Sequence, residues 1–179
     1  MYGEGIFTKE WSKSIIVPIH KKGDANIPDN DRGIALTRVL SKVYTHVLNK
    51  RLTRWAEQEE TILEQQAGFR EGYSTVDHIF TLYGLVQRYL QRNTKLYVAF
   101  VDFITVFDPV SINALWVVLR KAGVSWKMYR ALKGIYISVS ACVRDKCIYT
   151  DFFKCPRGVK QGCLLSPLMF SFIINELAV

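Results

Sequence analysis

The chain has 179 residues, of which 49% are hydrophobic and 22% are charged, and this balance is ordinary for a folded globular protein and excludes a disordered tail. Its formal net charge of +8 indicates an electropositive surface, which suits a polyanionic partner such as nucleic acid. Its longest apolar stretch is broken by serine and proline and falls short of the ~20 residues that cross a bilayer, so we expect no membrane partner.

The first 95 residues predict one strand and two helices. Residues 15–19 are a β-branched run that ends in a basic turn, which is typical of a strand followed by a turn. From residue 37 to about 56 the apolar residues recur at helical spacing and predict an amphipathic helix. Its apolar face comprises Val39, Leu40, Val43, Tyr44, Val47, Leu48 and Trp55. Ser74 and Asp77 have the spacing of a capping box ahead of a second helix, which extends to about Gln91.

The first helix also carries five basic residues outside its apolar face. We interpret them as a solvated surface, and contact with nucleic acid is the alternative interpretation. They are Arg38, Lys42, Lys50, Arg51 and Arg54.

A buried strand and a helix are predicted next. Residues 96–101 are nearly all apolar and rich in β-branched and aromatic types, which favours a strand buried on both faces. Asp108 is expected to cap the helix that follows, because a carboxylate favours free N–H groups and the helix dipole. That helix should turn Ile112, Leu115, Trp116 and Leu119 inward and stop near Gly123.

The last 55 residues predict two further helices and a hairpin. Ser125 is a candidate cap for one helix. Residues 138–153 alternate like a hairpin that turns near residues 144–146. After a loop at residues 156–162, a final helix should begin with Ser166 as its cap and Pro167 at its first position.

The four cysteines form no C-x-x-C pair, and the three histidines lie in distant segments. These spacings do not predict a zinc site. Reduced thiols in an intracellular protein, nuclear or cytoplasmic, are the simpler interpretation. We expect no signal peptide, because the first residues lack a basic region followed by an apolar core.

Asp102 is the most informative residue, because it stands at the end of the predicted buried strand. An unpaired buried charge is costly, so this carboxylate requires protein donors, a wet strand end or a metal ion. A hydrogen-bonded loop aspartate is the plain interpretation. The metal interpretation gains support from a second segment far downstream, RGVKQGCLLSPLMF at residues 157–170.

With these segments the chain resembles the reverse transcriptases of non-LTR (LINE-type) retrotransposons. In that family the first catalytic aspartate lies in a D-x-x-K-A-F-D pattern, and the loop that grips the template reads G-V-x-Q-G-x-x-L-S-P. Three further segments follow the family's order: IIVPIHKKGD from Ile15, NDRGIAL from Asn30 and QQAGFREGYSTVDHI from Gln65. The resemblance covers the chain from about Trp11 to Leu177.

The resemblance implies an α+β right-hand polymerase fold, with a fingers-like region at residues 1–95 and a partial palm at residues 96–179. It implies that the thumb, the Asp-Asp hairpin and the endonuclease are absent. Thr105 and Val106 depart from the pattern, since a lysine and a small alanine are usual there. Val106 adds bulk beside the sugar pocket and so bears on nucleotide fit.

The resemblance also assigns site residues. Asp102 is the catalytic aspartate and a metal ligand, and the carbonyl of Phe103 is a further metal ligand. Lys22 and Arg32 correspond to residues that hold the triphosphate, with Lys21 as an alternative to Lys22, and ammonium and guanidinium groups suit phosphate oxygens. The remaining matches are to the nucleotide pocket and the template path: Phe103, Phe107 and Gln161 for the nucleotide, and Gly162, Gln65 and Arg70 for the template.

The implied function is RNA-directed DNA synthesis with magnesium as cofactor and with an RNA template, a DNA primer or RNA–DNA hybrid, and dNTPs as partners. Only one carboxylate is matched, so we expect this chain to be inactive by itself. A nucleic-acid-binding fragment and a scaffolding fragment remain as alternatives. A group II intron maturase is a further alternative, but Arg32-Gly33-Ile34 resembles the retrotransposon branch more closely. We also expect self-association through an exposed palm edge.

Overall fold

The computed structural model describes residues 7–103 and 106–176, so Thr105 lies outside the described residues. Helices and strands are mixed along the chain. The first half contains α1 Lys9–Ser12, β1 Lys13–His20, a 3-10 turn Pro28–Asn30, β2 Asp31–Thr37, α2 Val39–Gln58 and α3 Thr75–Gln91. The second half contains α4 Ile112–Lys121, α5 Trp126–Tyr136, β3 Ser140–Asp145, β4 Ile148–Tyr149, β5 Phe153–Lys154 and α6 Ser166–Asn175.

The sheet is built around β1, which confirms the strand predicted at residues 15–19. On one side β1 pairs antiparallel with β2, from Ser14 opposite Thr37 to His20 opposite Asp31. On the other side it pairs parallel with β3, which in turn pairs antiparallel with β4 and β5. The sequence analysis predicted the β3–β4 hairpin, although the turn lies at Lys146 and Cys147, slightly later than expected. It did not predict β2.

The core lies between α4, α5, α6 and one face of α2. Leu115, Trp116 and Leu119 of α4 are buried as predicted, whereas Ile112 is only partly buried. Burying a leucine side chain stabilises the fold by about 1.5–3 kcal/mol. The largest fully buried side chains include Leu48, Leu52, Leu115, Leu119, Leu132, Leu165, Met169 and Phe172.

Several predicted caps can be compared with the structure. Ser74 and Asp77 form the predicted capping box of α3, and the hydroxyl of Ser125 accepts a hydrogen bond from the Met128 amide at 3.4 Å. The prediction for Asp108 is wrong, because α4 is capped by Ser111, which lies immediately before the first helical residue and accepts from the Ala114 amide at 3.3 Å.

The prediction that Ser166 caps α6 is also wrong. Leu165 occupies the cap position, Ser166 is the first helical residue, and Pro167 is the second. The Ser166 hydroxyl donates to the carbonyl of Lys160 at 2.8 Å. It therefore forms a hydrogen bond with the preceding loop and not with an amide of the helix.

Helix α2 forms over nearly the predicted range, but it turns a different face inward. Leu48 is buried as expected, whereas the predicted apolar residues Val39, Leu40, Val43 and Val47 are exposed. The buried positions are Ser41, Thr45, Leu48, Leu52 and Ala56, spaced three or four residues apart. The buried hydroxyl of Thr45 donates to the carbonyl of Ser41 at 2.9 Å, so the helix itself satisfies this polar group.

The predicted buried strand at residues 96–101 is wrong. These residues have no regular secondary structure, and Tyr97, Phe100 and Val101 are 86%, 84% and 79% exposed. Residues 95–103 form no backbone hydrogen bond with the described part of the chain. A β-rich composition favours an extended backbone, but a strand also requires a neighbour to pair with.

No helix among residues 7–103 and 106–176 combines the length and apolarity that a membrane crossing requires.

Candidate active site

Three segments that are distant in sequence surround one cavity of about 550 Å³. They are the turn between β1 and β2, the segment that carries Asp102, and the loop before α6. Six residues assigned separately in the sequence analysis line it, namely Lys22, Arg32, Asp102, Phe103, Phe107 and Gln161. Lys21 lines the cavity as well, so both candidate lysines are at the site.

The β1–β2 pair positions the cationic side of the cavity. Antiparallel pairing places Ile19 opposite Arg32, so the intervening turn projects from the end of the sheet. The turn is organised by hydrogen bonds, including Lys21 N to the Asn30 carbonyl at 3.0 Å and Asn30 Nδ2 to the Asp24 carbonyl at 2.9 Å. Lys21, Lys22 and Arg32 are exposed and form no ion pair with the described residues. Their charges are therefore available to an anionic ligand.

The loop of residues 156–162 fastens the other two segments together through its backbone. Gly158 N donates to the Val110 carbonyl at 2.9 Å, and Val159 N donates to the Phe107 carbonyl at 2.9 Å. On the opposite side, Ala35 N of β2 donates to the Gln161 carbonyl at 2.8 Å. These bonds fix Gln161 between β2 and the segment next to Asp102.

Glycine is required at two positions in this loop. Gly158 has φ +83°, and a Cβ there would lie 2.9 Å from the Asp108 carbonyl oxygen. Gly162 has φ +102°, and a Cβ there would lie 3.0 Å from the Ala35 carbonyl oxygen. Both the left-handed backbone and the close approach exclude a side chain.

Lys160 is a further loop residue that the sequence analysis did not single out. Its ammonium donates to the carbonyl of Ser12, the last residue of α1, at 2.8 Å. Burial lowers the pKa of Lys160, and the nearby Cys163 and Cys155 oppose that shift. The side chain therefore secures the loop to the start of the sheet. A lysine inside a glycine-bracketed loop was the only signal in the sequence, and its partner lies 148 residues away.

The aromatic wall of the cavity is supported from beneath. Phe107 is partly buried, and its ring centroid lies 5.6 Å from that of Phe170 in α6 and 6.4 Å from that of Phe69. Val106 lines the cavity next to Phe107, whereas Phe103 is 48% exposed. The floor is thus a packed aromatic surface.

Asp102 presents an exposed carboxylate to the cavity, and Asp108 lines the same space. Carboxylate oxygens suit hard divalent cations. However, no three His, Cys, Asp or Glu side chains come together into a metal-binding group within the described ranges. Asp102 could supply a metal ligand, but the described residues do not form a closed metal centre.

Gln65 and Arg70 do not line the cavity. The guanidinium of Arg70, whose side chain is 7% exposed, donates to both carboxylate oxygens of Glu57 at 3.0 and 2.6 Å. It also donates to the carbonyls of Leu63 and Gln66 and lies 4.2 Å from the Tyr73 ring centroid. The hydrogen bond from Arg70 lowers the pKa of Glu57. This geometry gives the Arg70 side chain a clear structural role.

Comparison with known proteins bears on these segments. The profile of a family described as reverse transcriptase (RNA-dependent DNA polymerase) matches residues 19–178. A probable RNA-directed DNA polymerase from transposon BS of Drosophila melanogaster is 28% identical over 172 residues, which cover 96% of this chain and 19% of that protein. A Pol polyprotein from the type-1 retrotransposable element R2 of Popillia japonica is 27% identical over 180 residues, which cover 93% and 23%.

A probable RNA-directed DNA polymerase from the transposon X-element of Drosophila melanogaster is 27% identical over 175 residues, covering 96% of this chain. The chain spans about a fifth of the length of these relatives.

Proposed function

The chain belongs to the reverse transcriptase family, and from this premise we propose that it forms the nucleotide-binding surface of a retrotransposon RNA-directed DNA polymerase, together with part of its template-binding surface. Within a right-hand polymerase, residues 1–95 would be the fingers-like region and residues 96–179 part of the palm. One observation supports the proposal above all: three distant segments with site motifs line a single cavity.

The proposal gives each side of the cavity a task. Lys22 and Arg32 donate charge-assisted hydrogen bonds to the triphosphate of an incoming dNTP, and Lys21 is placed to assist. Phe107, packed on Phe170, forms the floor beneath the sugar. A packed floor in this position would exclude the 2′-hydroxyl that distinguishes RNA from DNA precursors.

The template side of the cavity is assigned to the loop that follows β5. Gln161 is held by its own backbone against β2 and lines the cavity, and we propose that its side chain contacts the nascent base pair. Gly162 is proposed to contact the template through its backbone, whereas the close approach that its missing side chain permits within the protein is to the Ala35 carbonyl. Gln65 is exposed and stays a proposed template contact, whereas Arg70 would act indirectly by ordering residues 63–73.

Magnesium is the cofactor that we propose, and when bound it would stabilise the charge that develops on the transferred phosphate. Asp102 would hold it, with the carbonyl of Phe103 as a second oxygen ligand. Because the described residues do not form a closed metal centre, we propose that this chain alone does not polymerise. Primer extension on an RNA template with magnesium or manganese should fail. Extension that disappears in Asp102→Asn would contradict this.

Nucleotide binding tests the proposal directly. Isothermal titration calorimetry with a dNTP in the presence of magnesium should show saturable binding. In Lys22→Gln/Arg32→Gln the affinity should fall at least about tenfold, because charge-assisted hydrogen bonds contribute about 1.5–3 kcal/mol each. The matched control is Lys42→Gln/Lys50→Gln, which removes the same charge from exposed positions of α2. Equal losses in both variants would contradict a specific triphosphate site.

A nucleic-acid-binding role without catalysis is the second candidate, and the net charge of +8 favours it. The partners would be RNA, or a hybrid of an RNA template with a DNA primer, inside the cell. The affinity should fall log-linearly with salt, with a slope of about 0.7–0.9 per phosphate contact. A flat response in filter binding would leave only a scaffolding role.

A further inference from the structure

A second cavity, of about 530 Å³ and basic, lies on the far side of β1 from β2, between α1 and the β3–β5 pair. Three lysines and three serines line it, and none of its lining residues is acidic. The polar lining comprises Lys9, Ser12, Lys13, Ser138, Ser140 and Lys154. No motif in the sequence analysis involves these lysines.

The strand register places two of the lysines in one row. Lys13 of β1 is opposite Ser140 of β3, and Ser140 is opposite Lys154 of β5. Directly paired residues point to the same face of a sheet, and neighbouring strands are about 4.8 Å apart. The two lysines therefore stand about 10 Å apart on one face, with a serine hydroxyl between them.

The positive charge of this row is not neutralised nearby. Lys9 and Lys154 are exposed and form no ion pair with the described residues. Lys13 contacts Glu10 at 3.2 Å, but the other oxygen of that carboxylate contacts Arg38 at 2.9 Å. One carboxylate is thus shared by two cations, so the surface keeps a net positive charge.

An aromatic ring lies beside the same row. The ammonium of Lys13 is 5.5 Å from the ring centroid of Phe152, which is 53% exposed. Surfaces that bind single-stranded nucleic acid combine a basic groove with aromatic rings on which bases stack. An inorganic anion would need the lysines, but it would not need the ring.

A smaller cavity of about 100 Å³ shares lining residues with both the basic cavity and the candidate active site. The small cavity shares Gly33, Asp108 and Gln161 with the active site, and it shares Val139 and Cys155 with the basic cavity. The three cavities therefore adjoin one another, and Arg157 adds an exposed cation to the one that borders both the active site and the basic cavity.

We propose that the Lys9–Lys13–Lys154 cavity is a subsite for the phosphate backbone of a single-stranded nucleic acid that extends from the active-site cavity. Lys9 and Lys154 contact phosphates, the Ser140 hydroxyl donates to a phosphate oxygen, and Phe152, held beside Lys13, stacks on a base. This subsite rests on the proposed function, since the strand reaches it from the template side of that cavity.

The test compares two double variants that lose the same charge. Lys9→Gln/Lys154→Gln alters the subsite, and Lys42→Gln/Lys50→Gln alters α2. Fluorescence anisotropy with single-stranded RNA of about 4 to 16 nucleotides would be recorded over a range of salt concentrations. The subsite variant should bind long oligonucleotides about tenfold more weakly, and its salt slope should fall by about 0.7 for each lysine that contacts phosphate. The α2 variant should keep the parent slope.

Phe152→Leu gives an independent readout, because it leaves the charge unchanged. Its affinity for RNA should fall about fivefold or more, with an unaltered salt slope. Circular dichroism and melting of each variant would exclude loss of the fold as the cause.

Three results would overturn the subsite. They are unchanged RNA binding in Lys9→Gln/Lys154→Gln, equal losses in both double variants, and competition by poly-glutamate as effective as that by RNA.

Calorimetry with dNTP separates failure of the subsite from failure of the proposed function. If Lys22→Gln/Arg32→Gln loses nucleotide binding while the subsite variant behaves like the parent protein, only the subsite is wrong. If the parent chain binds neither dNTP nor RNA, both are wrong.

Discussion

Two segments carry motifs of the candidate site, namely the loop of residues 156–162 and the segment of residues 96–103. They differ in the hydrogen bonds that connect them to the rest of the chain. The loop is fixed by backbone hydrogen bonds to Val110, Phe107 and Ala35, and by the Lys160 ammonium. The segment has no such bonds, and no residue between 71 and 103 is buried. An apolar composition therefore does not by itself bring a segment into the core, whereas a short polar loop with two well-placed glycines is fully integrated.

The sharpest way to test this comparison is to substitute one glycine in the loop and one in α3, which belongs to the stretch of residues 71–103 without a buried residue. Gly158→Ala should destabilise the protein by about 3 kcal/mol, because it combines a left-handed backbone with a clash against the Asp108 carbonyl. Gly84→Ala in α3 meets open space and should stabilise that helix locally by about 0.5–1 kcal/mol. Urea denaturation followed by circular dichroism measures both. A harmless Gly158→Ala would show that the loop is not rigidly held.

The Glu57–Arg70 pair lies immediately before the stretch of residues 71–103 that contains no buried residue, and its effect should depend on pH. Glu57→Gln should cost about 1.5 kcal/mol at pH 7, a value at the low end because the carboxylate is partly screened by solvent. The folded pKa of Glu57 is lowered below its ordinary value of 4.5, so the stabilisation is present above that value and is lost as the pH falls through the folded pKa.

The measurement is the difference in unfolding free energy between the parent and Glu57→Gln at pH 7 and at pH 3. The difference should be large at pH 7 and small at pH 3. Glu71→Gln, an exposed position outside the pair, is the control and should show no such dependence. A difference that is independent of pH would indicate that packing, and not the charge, is the source of the stabilisation.

Two helix caps of the same chemistry sharpen the comparison further. Ser111→Ala at the start of α4 should lower the global unfolding free energy by about 1 kcal/mol, because α4 belongs to the core. Ser74→Ala at the start of α3 should reduce helical ellipticity without shifting the global transition, because α3 buries no residue. Equal shifts in both variants would mean that α3 unfolds together with the core.

The smallest effect on stability is expected from the exposed aromatic residues of the stretch 71–103. Phe80→Ser/Phe100→Ser should change the unfolding free energy by less than about 0.5 kcal/mol, since both rings are largely exposed. The same substitutions should reduce self-association, which we expect at high protein concentration from this apolar surface. Light scattering measures it, with Trp126→Ser on α5 as the control. Unchanged association would place the contact elsewhere.

The sequence predicted those features that depend on neighbouring residues. The range of α3 follows from its capping box and period, and the buried face of α4 follows from three apolar residues. The predictions from sequence failed where a residue far away in the chain determines the structure of a segment. Residues 96–101 lack a strand neighbour, α2 packs Leu48, Leu52 and Ala56 against the core instead of its predicted apolar face, and β2 forms because β1 lies beside it.

The same distinction holds for the candidate site. Motif matching found six residues that the fold brings to one cavity. It did not find Lys160, whose partner Ser12 belongs to a different segment, and it did not indicate that Arg70 would be occupied by Glu57. A motif gives the residue type at a position, but the hydrogen-bond partners of that residue appear only once the chain is folded.

The parallel pairing of β1 with β3 has a consequence for the order in which the protein forms. Ser14 contacts Ser140 across this pair, and the two residues are 126 positions apart in the chain. At a synthesis rate of about 5–20 residues per second, β1 leaves the ribosome roughly 6 to 25 seconds before its partner strand. During that interval β1 and β2 can close as a local antiparallel pair, with one edge open to other chains. When β3 arrives it pairs with β1 and closes that edge, and the glycine loop and α6, which follow β3 in the chain, can pack only after it.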